Sequence, residues 1–246
     1  MSSKPKVYFV AGTDAGAGKT LVAAALLHAA ATRGLSAVGI KPVAAGCQET
    51  PEGLRSDDVL LLRQHSSISM PYEMSNPVSL RLVLDPHLAA AQEGRRLDAG
   101  RLEGFCRAVL MKRAALTLIE GAGGWQAPLN GRQTLADLAK LLRVPVILVV
   151  GLRLGCINHA LLTARAIHAD GLDIVGWIAN QIDADMAFPQ ASIDAIAQRL
   201  SAPCLASIPP LGHLSAPERV AQAAQCLKPQ GMEALLSACL AQPSAD

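Results

Sequence analysis

The chain has 246 residues, of which 51% are hydrophobic but only 3% aromatic, and its formal net charge at pH 7 is +2. This length allows one large α/β domain or two small ones, with a core built mainly from Ala, Leu, Val and Ile. A charge so close to balance gives no reason to expect nucleic acid or an acidic membrane as a partner. No apolar run reaches the roughly 18 to 20 uncharged residues that a membrane-spanning helix needs.

A glycine-rich stretch, residues 12–20, follows an apolar run at 7–11 and precedes an Ala- and Leu-rich run at 21–27. This succession predicts a strand, a phosphate-binding loop and a helix. Glycines let backbone N–H groups approach phosphate oxygens, and the helix N-terminus adds a partial positive charge. We expect Lys19 on the β- and γ-phosphates of ATP, with the Thr20 hydroxyl as a ligand of the accompanying Mg²⁺.

The loop departs from the usual spacing, in which a glycine is followed by four residues and then Gly-Lys-Ser/Thr. Thr13 holds the first glycine position and Gly12 stands one residue earlier, so the loop is a variant. The alternative, a glycine turn with a chance Gly-Lys-Thr, is disfavoured by the flanking strand and helix patterns.

Cleavage of a signal peptide would remove the strand that leads into this loop, so we expect a cytoplasmic protein.

Two charged residues stand near the next predicted elements. Lys41 follows the apolar segment 37–40, and a lysine at the end of a parallel strand points to the edge where α/β proteins bind ligands. A solvated surface lysine is the equal alternative. Asp58 stands just before a predicted helix from Val59 to about His65, for which Ser56 or Asp57 can serve as the N-cap, leaving Asp58 free to aim elsewhere. The Asp58 carboxylate has two possible roles, a metal ligand or a charge that compensates the helix dipole, and the sequence leaves both open.

The middle of the chain combines an irregular segment with a second glycine-rich turn. Residues 66–97 contain prolines, and we expect a lid over the ligand site that includes a short helix starting at Pro86. A longer helix is predicted from about residue 99 to 113. Glu120 ends the apolar segment 115–119 and is followed by three glycines within four residues. A metal-facing loop and a sharp turn are the two interpretations, and the position at a strand end favours the metal ligand.

The remaining elements continue the alternation of strands and helices, which predicts a mostly parallel central sheet with helices on both faces, as in P-loop NTPases. Because the chain has no internal repeats and no linker-like composition, residues 1–246 are expected to form a single domain.

The six cysteines are scattered, which predicts reduced thiols and argues against a zinc site. Strands are predicted at 146–150, 174–179 and 204–208, and helices at 134–142, from about 156 to 169, 187–200, 216–227 and 231–241.

The order and spacing of these motifs resemble those of the dethiobiotin synthetase family over about residues 6–218. The most specific matches are Lys-Pro-Val at 41–43 and Leu-Gly-Cys-Ile-Asn-His at 154–159. The resemblance implies that 7,8-diaminopelargonate takes up CO2 as a carbamate, which the γ-phosphate of ATP phosphorylates. The neighbouring amine then displaces phosphate and closes the ring of dethiobiotin, a step in biotin biosynthesis that leaves ADP and phosphate.

The resemblance also assigns residues to roles. Lys19 and Lys41 are the expected catalytic residues, because ammonium groups and Mg²⁺ offset the repulsion between carbamate and γ-phosphate. The family's metal ligands correspond to Thr20, Asp58 and Glu120, an all-oxygen set suited to Mg²⁺. The implied ATP-binding residues are Gly16, Ala17, Gly18, Lys19, Thr20, Leu21, Asp58, Glu120, Gly121, Ala122, Gly123, Asn180, Gln181, Pro209, Pro210, Leu211 and Glu218. The implied substrate-binding residues are Lys41, Ala45, Gly155, Cys156 and Asn158.

In the family, the segment that contains Gly155 to Asn158 reaches the pocket of the other subunit, which implies a homodimer with shared sites. For Cys156 the alternative is a small buried residue. Ala45 stands where relatives often carry a hydroxyl, and residues 81–85 also differ from the family pattern. Both departures bear on substrate affinity.

A rival interpretation is a partition or site-selecting ATPase, which acts as a nucleotide-driven dimer switch. Those proteins carry a signature lysine five residues before the loop lysine, and here that position is Asp14. A cobyrinate-amidating enzyme would need a glutaminase domain, for which the chain leaves no room. The sequence therefore favours the ligase.

Overall fold

The structure is a computed structural model that describes residues 6–237. Strands and helices alternate along it, as the hydrophobic pattern predicts. In chain order the elements are β1 (Lys6–Gly12), α1 (Lys19–Ala31), β2 (Ala37–Ile40), β3 (Val43–Ala44), β4 (Gln48–Thr50), β5 (Gly53–Arg55), α2 (Asp57–Gln64), α3 (Tyr72–Ser75), β6 (Val78–Ser79), α4 (Pro86–Gln92), α5 (Ala99–Leu110), β7 (Leu116–Glu120), α6 (Leu135–Leu142), β8 (Val146–Leu152), α7 (Cys156–Ala169), β9 (Ile174–Gln181), α8 (Pro189–Ala197), β10 (Cys204–Ile208), α9 (Ala216–Gln225) and α10 (Pro229–Ser237).

Six strands form the central sheet in the order β10-β9-β8-β1-β7-β2, and every neighbouring pair is parallel. The predicted parallel sheet is therefore confirmed. Val10 pairs with Glu120 and Ile40 with Ile119, so β1, β7 and β2 end at one edge. The loop after β1 and the residue after β2 emerge there side by side.

Helices cover both faces of the sheet, as predicted. Side chains along a strand point alternately to the two faces, and Phe9 and Val10 of β1 belong to different core clusters. Buried residues of α5, α6, α7 and α8 join the cluster of Phe9, whereas those of α1, α9 and α10 join the cluster of Val10. Apart from a few aromatic residues such as the fully buried Trp177, both clusters are mainly aliphatic.

Short strands between β2 and α4 lie outside the main sheet. β3 pairs with β6 in parallel, and β4 pairs with β5 as an antiparallel hairpin. The sequence predicts a lid over 66–97 but none of these four strands, since two or three residues carry no readable periodicity. Pro86 begins α4 in its first turn, as predicted.

Several element ends differ from the predicted ones. α5 ends at Leu110, before Arg113, whose backbone is left-handed with a φ of 53°. β8 and β9 extend to Leu152 and Gln181, because the two strands stay paired up to these residues. α2 begins at Asp57, and although Ser56 occupies the N-cap position, its side chain makes no capping hydrogen bond. α10 begins two residues earlier than predicted, and its predicted end near residue 241 lies outside the described residues.

The cysteine predictions can be followed for five of the six residues. These five are free thiols, and the sixth, Cys239, lies outside the described residues. Across residues 6–237 there is no group of three or more His, Cys, Asp and Glu side chains that could hold a metal ion. Within the same range, no helix has the length and apolar character to cross a membrane. The five free cysteines are Cys47, Cys106, Cys156, Cys204 and Cys226.

Candidate active site

The loop between β1 and α1 has the glycine geometry that close approach to phosphate requires. Gly16 and Gly18 have φ values of 77° and 89°, in the left-handed region that favours glycine. Beneath the loop, the Asn180 side-chain amide donates a hydrogen bond of 2.9 Å to the Ala17 carbonyl. A Cβ at Gly18 would collide with that amide nitrogen. Asn180 therefore supports the loop from the end of β9, and position 18 accepts only glycine without rearrangement.

Lys19 connects the phosphate loop with the second glycine-rich turn. Its Nζ donates to the Asp14 carbonyl at 3.0 Å and to the Gly123 carbonyl at 2.6 Å. The side chain is buried, and this burial lowers the pKa of Lys19, with the nearby Lys41 ammonium acting in the same direction. Because both hydrogen bonds go to neutral carbonyl groups, no carboxylate within residues 6–237 forms an ion pair with Lys19, and its Nζ is left for an anionic ligand.

Lys41 lies between two carboxylates at the same sheet edge. Its Nζ donates to Glu120 Oε1 at 2.8 Å and also to Asp58 Oδ2. Burial alone would lower the pKa of Lys41, but the charges of Glu120 and Asp58 outweigh it and raise the pKa. The alternative of a solvated surface lysine is excluded, because only 9% of the Lys41 side chain is exposed.

Glu120 is the buried centre of this cluster, with a side chain that is 1% exposed. Its Oε1 accepts from Lys41 and, at 2.8 Å, from the Thr20 hydroxyl. Its Oε2 is buried and has no hydrogen-bond partner among the described residues. A free buried carboxylate oxygen, beside a hydroxyl and a second carboxylate from Asp58, is a donor set that suits Mg²⁺. Thr20 is thus linked to Glu120 directly and Asp58 is linked to it through Lys41, and the oxygen chemistry of the three side chains fits a hard divalent cation.

These residues line a single cleft of about 370 Å³, which we call the phosphate cleft. It contains ten of the predicted site residues and four that sequence reasoning did not assign to it. The predicted start of a short helix at Pro86 was a signal for one of the four. The predicted residues in the cleft are Gly16, Gly18, Lys19, Thr20, Lys41, Ala45, Asp58, Glu120, Ala122 and Gly123, and the additional ones are Ala15, Leu84, Asp85 and Pro86.

Three predicted ATP-binding residues near the loop do not line the phosphate cleft. Ala17 is fully buried, so only its backbone is available to a ligand. Leu21 is half-buried and packs against the core on the α1 side of the sheet. Gly121 is buried, and its N–H donates to the Val10 carbonyl at 3.0 Å.

Three predicted substrate-binding residues lie in a different cleft. Gly155, Cys156 and Asn158 line an apolar cleft of about 700 Å³ at the start of α7, the α7 cleft, together with Leu154 and Met186. Cys156 is 1% exposed, in line with the alternative of a small packing residue. Within one chain, this segment and the phosphate cleft share no lining residue.

The residues predicted for the adenosine half follow β9 and β10, which are neighbours in the sheet. Asn180 pairs with Ile208, so Gln181 and the turn at 209–211 leave the sheet close together. Glu218 lies further on, in the first turn of α9, where its Oε2 accepts from the Ser215 N–H at 2.9 Å and from the Ser215 hydroxyl at 2.5 Å. The hydroxyl bond lowers the pKa of Glu218. The spacing Ser-x-x-Glu is the sequence signal for this capping box, and it had been missed.

An ion pair near the phosphate loop also escaped the sequence analysis. Arg153 Nη2 donates to Asp14 Oδ2. Asp14 stands where the nucleotide-driven switches carry their signature lysine, so this position holds an acidic residue in contact with the loop after β8. The pair joins loops that are 139 residues apart, which local sequence patterns cannot reveal.

The parallel sheet and the glycine-rich loop that leads into α1 define a P-loop nucleotide-binding protein. Among solved structures, the MinC:MinD cell division complex of Aquifex aeolicus aligns with a TM-score of 0.58 and 14% identity, covering 98% of each chain. MinD of Pyrococcus horikoshii, complexed with Mg-ADP, aligns with a TM-score of 0.52 and 17% identity over 93% of this chain and 94% of that one. At such identities these likenesses show the fold alone.

Sequence comparisons narrow the class. A family model described as an AAA domain matches residues 6–218. A protein of Cellvibrio japonicus named ATP-dependent dethiobiotin synthetase BioD is 57% identical over 211 residues, which cover 86% of this chain and 92% of that protein. A protein of the same name from Pseudomonas paraeruginosa is 52% identical over 204 residues, or 83% and 90% of the two chains. The chain belongs to the ATP-dependent dethiobiotin synthetase family.

Proposed function

We propose that this protein catalyses the ATP- and Mg²⁺-dependent conversion of 7,8-diaminopelargonate and CO2 to dethiobiotin, ADP and phosphate. Membership of the dethiobiotin synthetase family supports the reaction, and the phosphate cleft supports the chemistry. The observation that carries the proposal is the joint presence of Lys19, Lys41 and buried Glu120 in that cleft. In the biotin pathway this is the step that closes the cyclic urea, and we propose that it takes place in the cytoplasm.

The two lysines address the main obstacle of the reaction, which is the repulsion between a carbamate and the γ-phosphate. Lys19 is held by neutral carbonyl groups and would bind the phosphates. Lys41 would bind the carbamate and the phosphoryl group that is transferred. Electrostatic donors of this kind typically contribute about 3 kcal/mol each, or roughly 100-fold in rate.

Thr20, Asp58 and Glu120 would hold Mg²⁺ through a hydroxyl and two carboxylates. The free Oε2 of Glu120 and the all-oxygen composition of the set support this assignment. When bound, Mg²⁺ supplies positive charge that neutralises phosphate oxygens during transfer.

The nucleotide and the tail of the substrate would be bound by the remaining predicted residues. We propose that the phosphates lie on the backbone of residues 16–21 and 121–123, and that the adenosine half lies against Asn180, Gln181, residues 209–211 and Glu218. A helix N-terminus with exposed N–H groups attracts a carboxylate, and Gly155 to Asn158 form that end of α7.

We further propose a homodimer in which the α7 segment of one subunit completes the site of the other. Leu154 at the tip of this segment is 95% exposed and lines the apolar α7 cleft, so an apolar surface is available there to a second subunit. The segment and the phosphate cleft share no lining residue within one chain, which agrees with its acting on a second subunit.

The experiment is an assay of phosphate release and product formation with purified protein, ATP, Mg²⁺, bicarbonate and 7,8-diaminopelargonate. We expect phosphate release to require the diamine and to match dethiobiotin formation one to one. Reactions without the diamine or without bicarbonate serve as controls. Phosphate release that ignores the diamine would contradict the proposal and would suit a nucleotide-driven switch instead.

A further inference from the structure

Asp85 lies on the wall between the phosphate cleft and a second cleft beside it. The second cleft, which we call the Trp125 cleft, measures about 450 Å³ and runs between the glycine-rich turn after β7 and helix α7. Three residues line both clefts, namely Ala15, Asp85 and Gly123. Asp85 is the only one of the three with a charged side chain, so a carboxylate-bearing residue lies on the boundary between the two clefts.

The Asp85 carboxylate has no structural role among the described residues. It occupies the N-cap position of α4, but its side chain makes no capping hydrogen bond. No ion pair within residues 6–237 includes it, whereas the other acidic residues of the two clefts are engaged. Asp58 and Glu120 hold Lys41, and Asp14 holds Arg153. Asp85 is therefore the acidic group that these clefts leave available for a ligand.

The chain on either side of Asp85 is held by contacts within the protein, while Asp85 itself is exposed at the rim. Glu93 Oε1 accepts from the N–H groups of Arg81 and Leu82, at 2.7 and 3.3 Å. The Leu82 carbonyl in turn accepts from the Gly46 N–H at 3.0 Å. Pro86, which follows Asp85, is buried and has a restricted φ. These contacts limit the entropy that binding would cost.

The charge balance of the phosphate cleft indicates what this carboxylate could bind. Lys19 and Lys41 attract the anionic parts of the reactants and repel an ammonium group. The carboxylates of Asp58 and Glu120 in the same cleft are already engaged by Lys41. Asp85 is the carboxylate at the rim that remains for an amino group of the diamine.

We propose that Asp85 binds the amino group of the diamine that is not carboxylated and orients it toward the phosphate cleft. This inference rests on the proposed function, because it takes the substrate to be a vicinal diamine. A hydrogen bond to a charged group is worth about tenfold to a hundredfold in affinity. Asp85 would thus be a substrate-binding residue that distinguishes the diamine from its monoamine analogues.

The test uses the full chain and the variant Asp85→Asn, with three ligands: the diamine and the two monoamine analogues that each lack one amino group. Affinities are measured by calorimetry in the presence of a non-hydrolysable ATP analogue. We expect the variant to bind the diamine and one monoamine about tenfold to a hundredfold more weakly. The monoamine that lacks the contacted group should bind equally to both proteins, and affinity for the ATP analogue should not change.

Folding and general charge effects are controlled separately. Asn is as good an N-cap residue as Asp, so the melting temperature should be preserved, and Asp85→Ser provides a second variant if it is not. Glu49→Gln removes a carboxylate that pairs with Arg81 on the same lid but lines neither cleft. We expect this control to bind all three ligands like the wild type.

The outcomes separate this inference from the proposed function. If wild-type protein does not consume the diamine, the proposed function fails, and the role of Asp85 fails with it. If the wild type consumes the diamine but Asp85→Asn binds it normally, only the role of Asp85 is wrong. Equal weakening of all three ligands also overturns it, since a direct contact with one amino group must spare the analogue that lacks this group.

Discussion

The phosphate cleft and the α7 cleft differ in how far their side chains are buried and hydrogen-bonded within a single chain. In the phosphate cleft, Lys19, Lys41 and Glu120 are buried, and all three form hydrogen bonds within the described chain. In the α7 cleft, Leu154 is 95% exposed and Asn158 faces solvent. A buried charge is costly without a partner, whereas an exposed apolar side chain is tolerated until another surface covers it.

This difference indicates which parts of the reaction depend on one subunit and which depend on two. Charge stabilisation is organised within the chain, since its ammonium and carboxylate groups already lie together. Recognition of the substrate's tail needs a second copy, if the proposed dimer is correct. Variants on the two sides should therefore fail in different ways, the first in turnover and the second in substrate affinity.

The largest effect is expected on the phosphate side, for Lys41→Gln. We expect turnover to fall by about 100-fold or more with ATP affinity near that of the wild type, because Lys41 acts on the group in transfer. Removing the ammonium also leaves Glu120 buried without its ion-pair partner, which should destabilise the unliganded protein by about 3–5 kcal/mol. Steady-state kinetics, ATP binding and thermal melting measure the three effects.

Lys140→Gln is the matched control for this variant. Lys140 is a partly exposed lysine that pairs with Asp137 and Asp170 at the surface, and such pairs contribute about 0–1 kcal/mol. Its turnover should equal that of the wild type. Unchanged turnover in Lys41→Gln would remove Lys41 from the mechanism.

Gly18→Ala tests the contact between the Asn180 side chain and the phosphate loop. The new Cβ would meet the Asn180 amide, and the φ of 89° is strained for alanine. Left-handed strain and loss of the Asn180 hydrogen bond together predict about 30-fold weaker ATP binding. Gly34→Ala has a similar φ of 71° but open space around its Cβ, so it should lower stability alone. Equal ATP affinity in both variants would contradict the role of Asn180 under the loop.

Leu154→Asp addresses the α7 side of the comparison. A charge at the centre of an apolar contact should dissociate the proposed dimer and raise the KM for the diamine by about tenfold, with ATP affinity unchanged. Sedimentation velocity and steady-state kinetics measure these effects. Met111→Asp alters another apolar residue, 79% exposed at the end of α5, and should change neither. A monomeric wild type, or a dimer that survives Leu154→Asp, would refute the proposed interface.

The comparison also explains how far the sequence could predict the molecule. Lys41, Glu120 and the loop after β1 could be brought together in advance, because parallel strands end at one edge and each residue directly follows or ends its strand. Asp85 could not, since its position depends on the path of the irregular segment 66–97. The pairing of Asp14 with Arg153 likewise joins distant loops. Local periodicity gives strands and helices, whereas contacts between loops depend on tertiary packing that it does not encode.

The smallest effect is expected for Glu218, whose carboxylate has two proposed tasks. Gln is also accepted in a capping box, so Glu218→Gln should preserve α9 while it weakens a hydrogen bond to the nucleotide. We expect the KM for ATP to rise by about threefold, a modest change because the carboxylate is exposed and shared with Ser215. Ser215→Ala should affect stability instead of ATP binding. It should lower the melting temperature by roughly 2–4 °C and leave the KM for ATP unchanged. If Glu218→Gln leaves the KM for ATP unchanged, the residue caps the helix only, and the adenosine half depends on the ends of β9 and β10.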